Sequence, residues 1–523
     1  MAISGLTFAC RPHVTLRPSL VHCIRKVRLS SVAVVEAQDA ADRDVNGKIH
    51  NSATSQGTGE WNSDMPGRKK LNSKDLGIKT SRIPKPTRKV LNVLKEKGYE
   101  VYLVGGCVRD LILNRIPKDF DILTSAELEK VVGMFAFCSI VGRRFPICHV
   151  KIGGTIVEVS SFSTSRKKFT GDVNHELVRH FGCDDKDFDR WRNCLQRDFT
   201  INGLMFDPYS KKVYDYTRGI EDIRKAKVRT MIPASTSFQE DCARILRAIR
   251  IAARLGFSLS RETAHFVKSL SRSVLRLDKA RLMMEVNYML AFGSAEASLR
   301  LLWRFGLLEL LLPNQAEYFV RQGFGRRDTR SNMLLAVFSN LDKLLAPNRP
   351  CHSSLWVGIL AFHEALSDHP RDPLVVAAFS LAVHNGGDMS EAINITKRIT
   401  RPHDISFPEL SEPKDLDSPE LTNEVMHLAD SVRDVLSKMT YKCYTLQAQN
   451  SDLAFMSLPL YSRTCRIFDC IQDGVGKGFV SKRGSKINYD LLAWGSLEEV
   501  RHVFARTIFD TVFPLRLTQT GTT

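Results

Sequence analysis

The stretch Leu103-Val104-Gly105-Gly106-Cys107-Val108-Arg109-Asp110, followed by Pro117-Lys118-Asp119-Phe120-Asp121, decides how this chain is read. Tyr102, Leu103 and Val104 read as a buried strand that runs into two glycines and then a helix. That turn lets backbone N–H groups approach a phosphate, because glycine has no side chain to hold the anion away. Arg109, one helical turn on, is placed to reach the same anion. Asp119 and Asp121 are read as strand residues, and a side-chain period of two then puts both carboxylates on one face. Two adjacent carboxylates repel each other unless a divalent cation sits between them. A pair of such cations clamps the attacking and leaving oxygens of a phosphoryl transfer. Singly, Gly-Gly is a common turn and Asp-x-Asp a common solvated edge; in this order within twenty residues they point to a phosphate and metal site.

Working outward toward the N-terminus, Val90, Leu91 and Leu94 form one helical face with Gly98 as its stop, so folded structure is expected to begin near Thr87. Ala40 to Pro86 is rich in Gly, Asn, Ser and Pro, and residues 41–86 are read as a disordered linker. Met1 to Val35 holds no Asp or Glu, while Arg11, Arg17, Arg25, Lys26 and Arg28 sit among Ser, Thr and Ala. That composition predicts an organellar transit peptide over residues 1–40, a chloroplast address with the mitochondrion as alternative; a plain basic tail is the blander reading. Toward the C-terminus, from about Ser237, the pattern changes to amphipathic helices. Ile245, Leu246, Ile249 and Ala253 make one apolar face, Leu282, Met283, Val286 and Leu290 another, and Leu301, Leu302, Phe305, Leu308 and Leu312 a third. Helical character continues to about Phe513, broken at Pro402, Pro408, Pro413 and Pro419.

The 523 residues are 43% hydrophobic and 25% charged, which excludes wholesale disorder. Uncharged runs such as Leu355 to Phe362 and Leu374 to Val383 are too short to span a bilayer as helices. The formal charge of +18 favours a polyanionic partner, nucleic acid first. Twelve cysteines include no C-x-x-C pair, so a zinc ribbon is not expected and reduced thiols are.

Two further segments carry chemistry. Asp241 and Arg244 are three apart and are read as sharing a helix face. The carboxylate accepts from an exocyclic amino group and the guanidinium donates to a ring nitrogen; ATP and CTP both offer that pair, GTP and UTP do not. The blander reading is an exposed ion pair. In Ile140-Val141-Gly142-Arg143-Arg144-Phe145-Pro146-Ile147-Cys148-His149-Val150, two arginines after a glycine suit a phosphate contact or, more plainly, a basic turn.

With these motifs, residues 87 to 313 resemble the class II nucleotidyltransferase superfamily, which contains the CCA-adding tRNA nucleotidyltransferases and the bacterial-type poly(A) polymerases. The resemblance implies an α+β fold, a polymerase-β-like head over residues 87–225 with a mixed or antiparallel sheet and helices. An all-α neck (226–313) and body (314–523) follow. It implies that Gly105, Gly106 and Arg109 hold the triphosphate and that Asp119 and Asp121 bind two catalytic Mg²⁺ ions. Arg197, Asp198 and Asn202 resemble the ribose-binding motif, although Gln196 stands where the family usually has another arginine. Gly219-Ile220-Glu221-Asp222-Ile223 resembles the turn between head and neck. Asp241, Arg244 and Arg247 resemble the amino-acid template for the incoming base. Gly142-Arg143-Arg144-Phe145 and His149 resemble the signature of the poly(A) branch, with Arg143, Arg144 and His149 as RNA or phosphate contacts. Glu158 is a candidate third carboxylate.

The activity so implied is template-independent addition of AMP from ATP to an RNA 3′ end, with RNA and ATP as partners and no membrane. CCA addition to tRNA is the first alternative and a catalytically inactive RNA-binding module the second. Intact Asp119, Asp121, Arg197, Asp198, Asp241 and Arg244 argue against the latter. Beyond residue 313, Arg321, Arg326, Arg327 and Arg330 near Phe319 and Phe324 are read either as RNA-tracking loops with a stacking aromatic or as solvated basic loops. The same two readings hold for Lys477, Lys482, Arg483 and Lys486 near Phe479.

Overall fold

The computed structural model describes residues 69–142, 146–166, 185–445, 457–476 and 479–514. These divide into two units: a head that runs to Glu240 and takes in Ser258–Thr263, and a helical unit of Asp241–Phe257 with everything from Ala264 onward. The head unit thus extends past residue 225 to Glu240.

Eight strands form one mixed sheet in the head: β1 (Lys69–Asn72), β2 (Val101–Val104), β3 (Asp121–Thr124), β4 (Cys138–Val141), β5 (Ile147–Ile152), β6 (Thr155–Ser161), β7 (Met205–Asp207) and β8 (Lys212–Asp215). The spatial order is β1-β8-β7-β2-β3-β6-β5-β4. Only β3 and β6 run parallel; every other neighbouring pair is antiparallel. The head helices are α1 (Lys85–Glu96), α2 (Gly106–Ile112), α3 (Leu128–Met134), α4 (Phe162–Arg166), α5 (Asp185–Leu195), α6 (Gly219–Arg224) and α7 (Ala234–Glu240).

Val-Tyr-Leu-Val of β2 is buried at all four positions because the sheet is covered on both faces there. On one face Tyr102 and Val104 join Leu123, Phe162, Cys194, Met205, Tyr214 and Tyr216, with Trp191 of α5 packed against them. α1 packs against β2 and β6 through its buried Val90, Leu91 and Leu94, and ends at Glu96 before Gly98 in a left-handed conformation (φ 84°).

The expected linker is corrected at its C-terminal end. Lys69–Asn72 pairs antiparallel with β8, so the sheet begins well before Thr87. An edge strand is held by backbone hydrogen bonds and needs no apolar alternation, so the polar Lys-Lys-Leu-Asn carries no strand signal. Lys70 ties it further, 3.5 Å from the Asp187 carboxylate and over the Tyr214 ring. The expected transit peptide and the rest of the linker, through residue 68, lie outside the described residues.

In the helical unit Ile245, Leu246, Ile249, Leu282, Val286, Leu290, Leu301, Leu302, Phe305, Leu308 and Leu312 are buried, as their periodicity predicted, while Ala253 and Met283 of the same faces are half-buried. Phe362, Phe379, Phe468 and Phe504, from four helices, interlock with ring centroids 5.3–6.5 Å apart. No helix among the described residues is long and apolar enough to cross a membrane.

The two basic clusters, read either as RNA-tracking loops or as solvated basic loops, hold their aromatics against the protein. Phe319 and Phe324 are buried, Arg326 lies over Trp303 at 3.8 Å, and Arg330 is bonded to Asp328. Lys482 pairs with buried Glu499, and Phe479 lies against Gly386 with Arg501 over its ring. Lys477 is outside the described residues.

Candidate active site

Antiparallel pairing places Asp121 directly across from Val104, one residue before Gly105. On the other flank β7 pairs with β2, and Gly105 N–H donates to Leu204 O at 3.4 Å. The Arg197–Asn202 segment leads straight into β7, so three motifs far apart in sequence meet at the end of β2. Gly105 takes φ 79°, ψ −142°, which side chains of L residues rarely allow. A Cβ there would lie 3.1 Å from Arg197 Nη1 and 3.6 Å from Asp121 Oδ2. The missing side chain thus leaves room for the Arg197 guanidinium, with the Asp121 carboxylate close by. Arg197 Nε is buried and has no hydrogen-bond partner among the described residues. Beneath them Cys107 donates to Val104 O, and burial, helped by the Asp121 charge, pushes its thiol up to about 12. It is a neutral packing group.

Arg109 does not stand ready for an anion as its position in the sequence suggested. Only 7% exposed, its guanidinium donates from Nε and Nη2 to Asp110 Oδ1 and from Nη1 to Asn202 Oδ1 at 2.6 Å. Asn202 Nδ2 donates in turn to Asp198 Oδ1 at 2.9 Å. The chain Arg109–Asn202–Asp198 ties the Gly-Gly helix to the Arg197–Asn202 segment. Gly106 sits against it: a Cβ there would lie 3.3 Å from Arg109 Nη2. Asp110, which the sequence reading passed over, holds Arg109 in this pose.

The carboxylate pair also differs from expectation. β3 begins at Asp121, so Asp119 lies in the preceding loop, its side chain 71% exposed and 4.0 Å from Lys118 Nζ. Asp119 and Asp121 therefore do not share a strand face. Asp119 still faces the same region: burial first, and then the Asp119 charge, raise the Glu158 carboxyl above its ordinary range, with Lys118 opposing. His149 on β5 is directly across from Glu158, Nε2 3.7 Å from Oε1. Among the described residues no three His, Cys, Asp or Glu side chains form a ready metal cluster. Mg²⁺ characteristically takes one or two carboxylates and completes its shell with water and substrate phosphate oxygens. The hard oxygens of Asp119 and Asp121 fit that requirement.

Asp241, Arg244 and Arg247 belong to the helical unit, Gly105 to Asn202 to the head. Asp241 precedes the helix Ala243–Leu255 instead of sharing a face with Arg244: its Oδ1 accepts the Ala243 N–H at 3.1 Å and its carbonyl the Arg244 N–H. Aspartate prefers such terminal positions to helix interiors because its short side chain competes for backbone N–H groups. Arg244 is 9% exposed. Arg143 and Arg144 lie outside the described residues.

Known proteins resemble this chain in both units. Residues 101–229 match the poly A polymerase head domain. Residues 256–319 match a second family, described as "Probable RNA and SrmB- binding site of polymerase A". The chain is similar to poly(A) polymerase I of Haemophilus influenzae, 34% identical over 50% of this chain and 58% of that protein. Poly(A) polymerase I of Escherichia coli is 36% identical over 45% and 51% respectively. The CCA-adding enzyme of Geobacillus thermodenitrificans is 34% identical over 44% and 54%. The matches thus span little more than half the length of these curated relatives. Among solved structures, the Bacillus stearothermophilus CCA-adding enzyme in complex with CTP is 23% identical, with a TM-score of 0.38 over 74% of this chain and 83% of that one. The family resemblance and the α+β head with its helical continuation, both expected from the motifs, stand.

Proposed function

We propose that this chain transfers AMP from ATP to the 3′ end of an RNA without a template. The observation that carries the reading is the convergence of Asp121 and Arg197 over Gly105, with a buried Arg197 Nε that lacks a partner. Poly(A) polymerase relatives at 34–36% identity support it. The RNA 3′-hydroxyl attacks the α-phosphorus of ATP, its proton passes to solvent, and the bond to pyrophosphate breaks. Arg197 and the Gly105-Gly106 backbone neutralise the triphosphate as charge moves onto the leaving group. Asp119 and Asp121 would hold Mg²⁺, which when bound supplies Lewis-acid stabilisation of the reacting oxygens. Asn202 and Asp198, braced by Arg109, face the sugar; the resemblance to the family's template assigns the choice of base to Asp241 and Arg244.

The test is purified protein with a short generic RNA and each labelled nucleoside triphosphate in turn, beside a tRNA ending before its CCA. Long tails from ATP alone on the generic RNA are expected. Two C and one A on the tRNA, with no extension of the generic RNA, would overturn this reading in favour of CCA addition. The acid-free, Arg- and Ser-containing N-terminal segment supports a plastid address, with the mitochondrion second.

A further inference from the structure

The segment Asp198–Asn202 is strapped to a later part of the head by contacts that the motif readings leave unassigned. Thr200 Oγ1 donates to Asp222 Oδ2 at 2.6 Å. Asp222 is 2% exposed and is held from the other side by Arg229, whose Nε and Nη2 donate at 3.1 and 3.0 Å. Thr200 N–H donates to Arg229 O at 3.0 Å, and Met231 N–H to Asp198 O at 3.1 Å. Gly219, at the start of α6, lets Thr200 sit against it: a Cβ would come within 2.3 Å of Thr200 O. Residues 200–202 form a single 3-10 turn, so whatever orients Thr200 orients Asn202 two residues on. Asn202 is the acceptor for Arg109 and the donor to Asp198.

We propose that Asp222, acting through the Thr200 hydroxyl, is a positioning residue that fixes Asn202 and Asp198 toward the sugar and so sets the preference for ribonucleotide over deoxyribonucleotide. The inference rests on the nucleotidyl-transfer reading above and assigns Thr200, Asp222 and Arg229 a part in it. The physical reason is geometric. A site that distinguishes one hydroxyl does so through polar groups left unpaired by the analogue, and this works only while they are held to a fraction of an ångström. A buried threonine hydroxyl and a buried carboxylate joined by one short bond supply that rigidity; an exposed one would not.

The experiment compares incorporation of ATP and 2′-deoxyATP on a short RNA by the wild-type chain, Asp222→Ala, Asp222→Asn and Thr200→Val, with thermal unfolding of each. Thr200→Val keeps the shape of the threonine and removes its hydroxyl, so it guards against an Asp222→Ala protein that fails to fold. The expected result is a kcat/KM ratio of ATP to deoxyATP reduced by roughly tenfold or more in Asp222→Ala and Thr200→Val. Asp222→Asn, which retains an acceptor for Thr200, should stay closer to wild type. An equal fall for both nucleotides, with the ratio unchanged, would make the strap merely structural and overturn the inference while leaving nucleotidyl transfer intact. A wild-type chain that incorporates neither nucleotide would instead refute the reading on which it rests.

Discussion

At Gly105 the backbone takes a positive φ, and a Cβ there would press on the Arg197 guanidinium with the Asp121 carboxylate in contact beside it. Asp121 is fixed by its register opposite Val104, while Asp119 is carried on the loop before β3. Replacing Asp121 with Ala should reduce nucleotide incorporation by roughly a hundredfold or more, because the site loses a hard oxygen ligand held by strand register. Asp119→Ala should do the same with less effect on folding, since that side chain is mostly exposed. The assay is primer extension with ATP beside a circular dichroism melt; incorporation within a few-fold of wild type in either variant would refute the assignment. Gly105, Gly106 and Asp121 were legible from local pattern. The role of Arg109 was not, because its partner Asn202 is remote in sequence and Asp110 competes for the same guanidinium.

Among the elements, the helix Ala295–Arg304 shows how a remote carboxylate replaces a local cap. Its N-cap Ser294 makes no side-chain cap bond; Asp342 instead accepts the N–H groups of Ala295 and Glu296 at 2.8 and 3.0 Å. Burial pushes the Asp342 carboxyl up to about 7, well above its ordinary value of 3.8. With the folded value raised, the native chain holds this proton more tightly than the unfolded one. The associated stability is complete below about pH 4 and is lost as pH rises toward 7, with no further change above. Asp342→Asn cannot titrate, so its melting temperature should gain on the wild type from pH 4 to 7 and then run parallel. Midpoints at half-unit pH steps check this; a constant difference across the range would show that Asp342 does not titrate in that window. The same lesson applies to Lys69–Asn72 and Asp241. Their placement is set by backbone donors and acceptors elsewhere, which no hydrophobic period records.

For the whole molecule, a charge of +18 and an acid-free N-terminal segment bear on where the chain works and on what it meets. A fluorescent fusion carrying Met1 to Ala40 should enter plastids or, failing that, mitochondria, and a chain lacking that segment should stay in the cytosol with its catalysis intact, because the head's first strand starts at Lys69. A nuclear or secreted full-length fusion would overturn the proposed address. By itself the sequence determined the α+β head, the helical continuation and the residue types of the site. Those follow from local patterns: a buried strand ending in two glycines, an Asp-x-Asp, and apolar faces repeating along helices. Only the tertiary structure decided that Arg109 braces Asn202, that Asp241 turns its carboxylate to the Ala243 N–H and that a Lys-Lys-Leu-Asn tetrapeptide forms the sheet edge. A hydrogen bond between residues ninety-odd positions apart depends on which strands become neighbours, and that is a property of the assembled sheet rather than of any one segment.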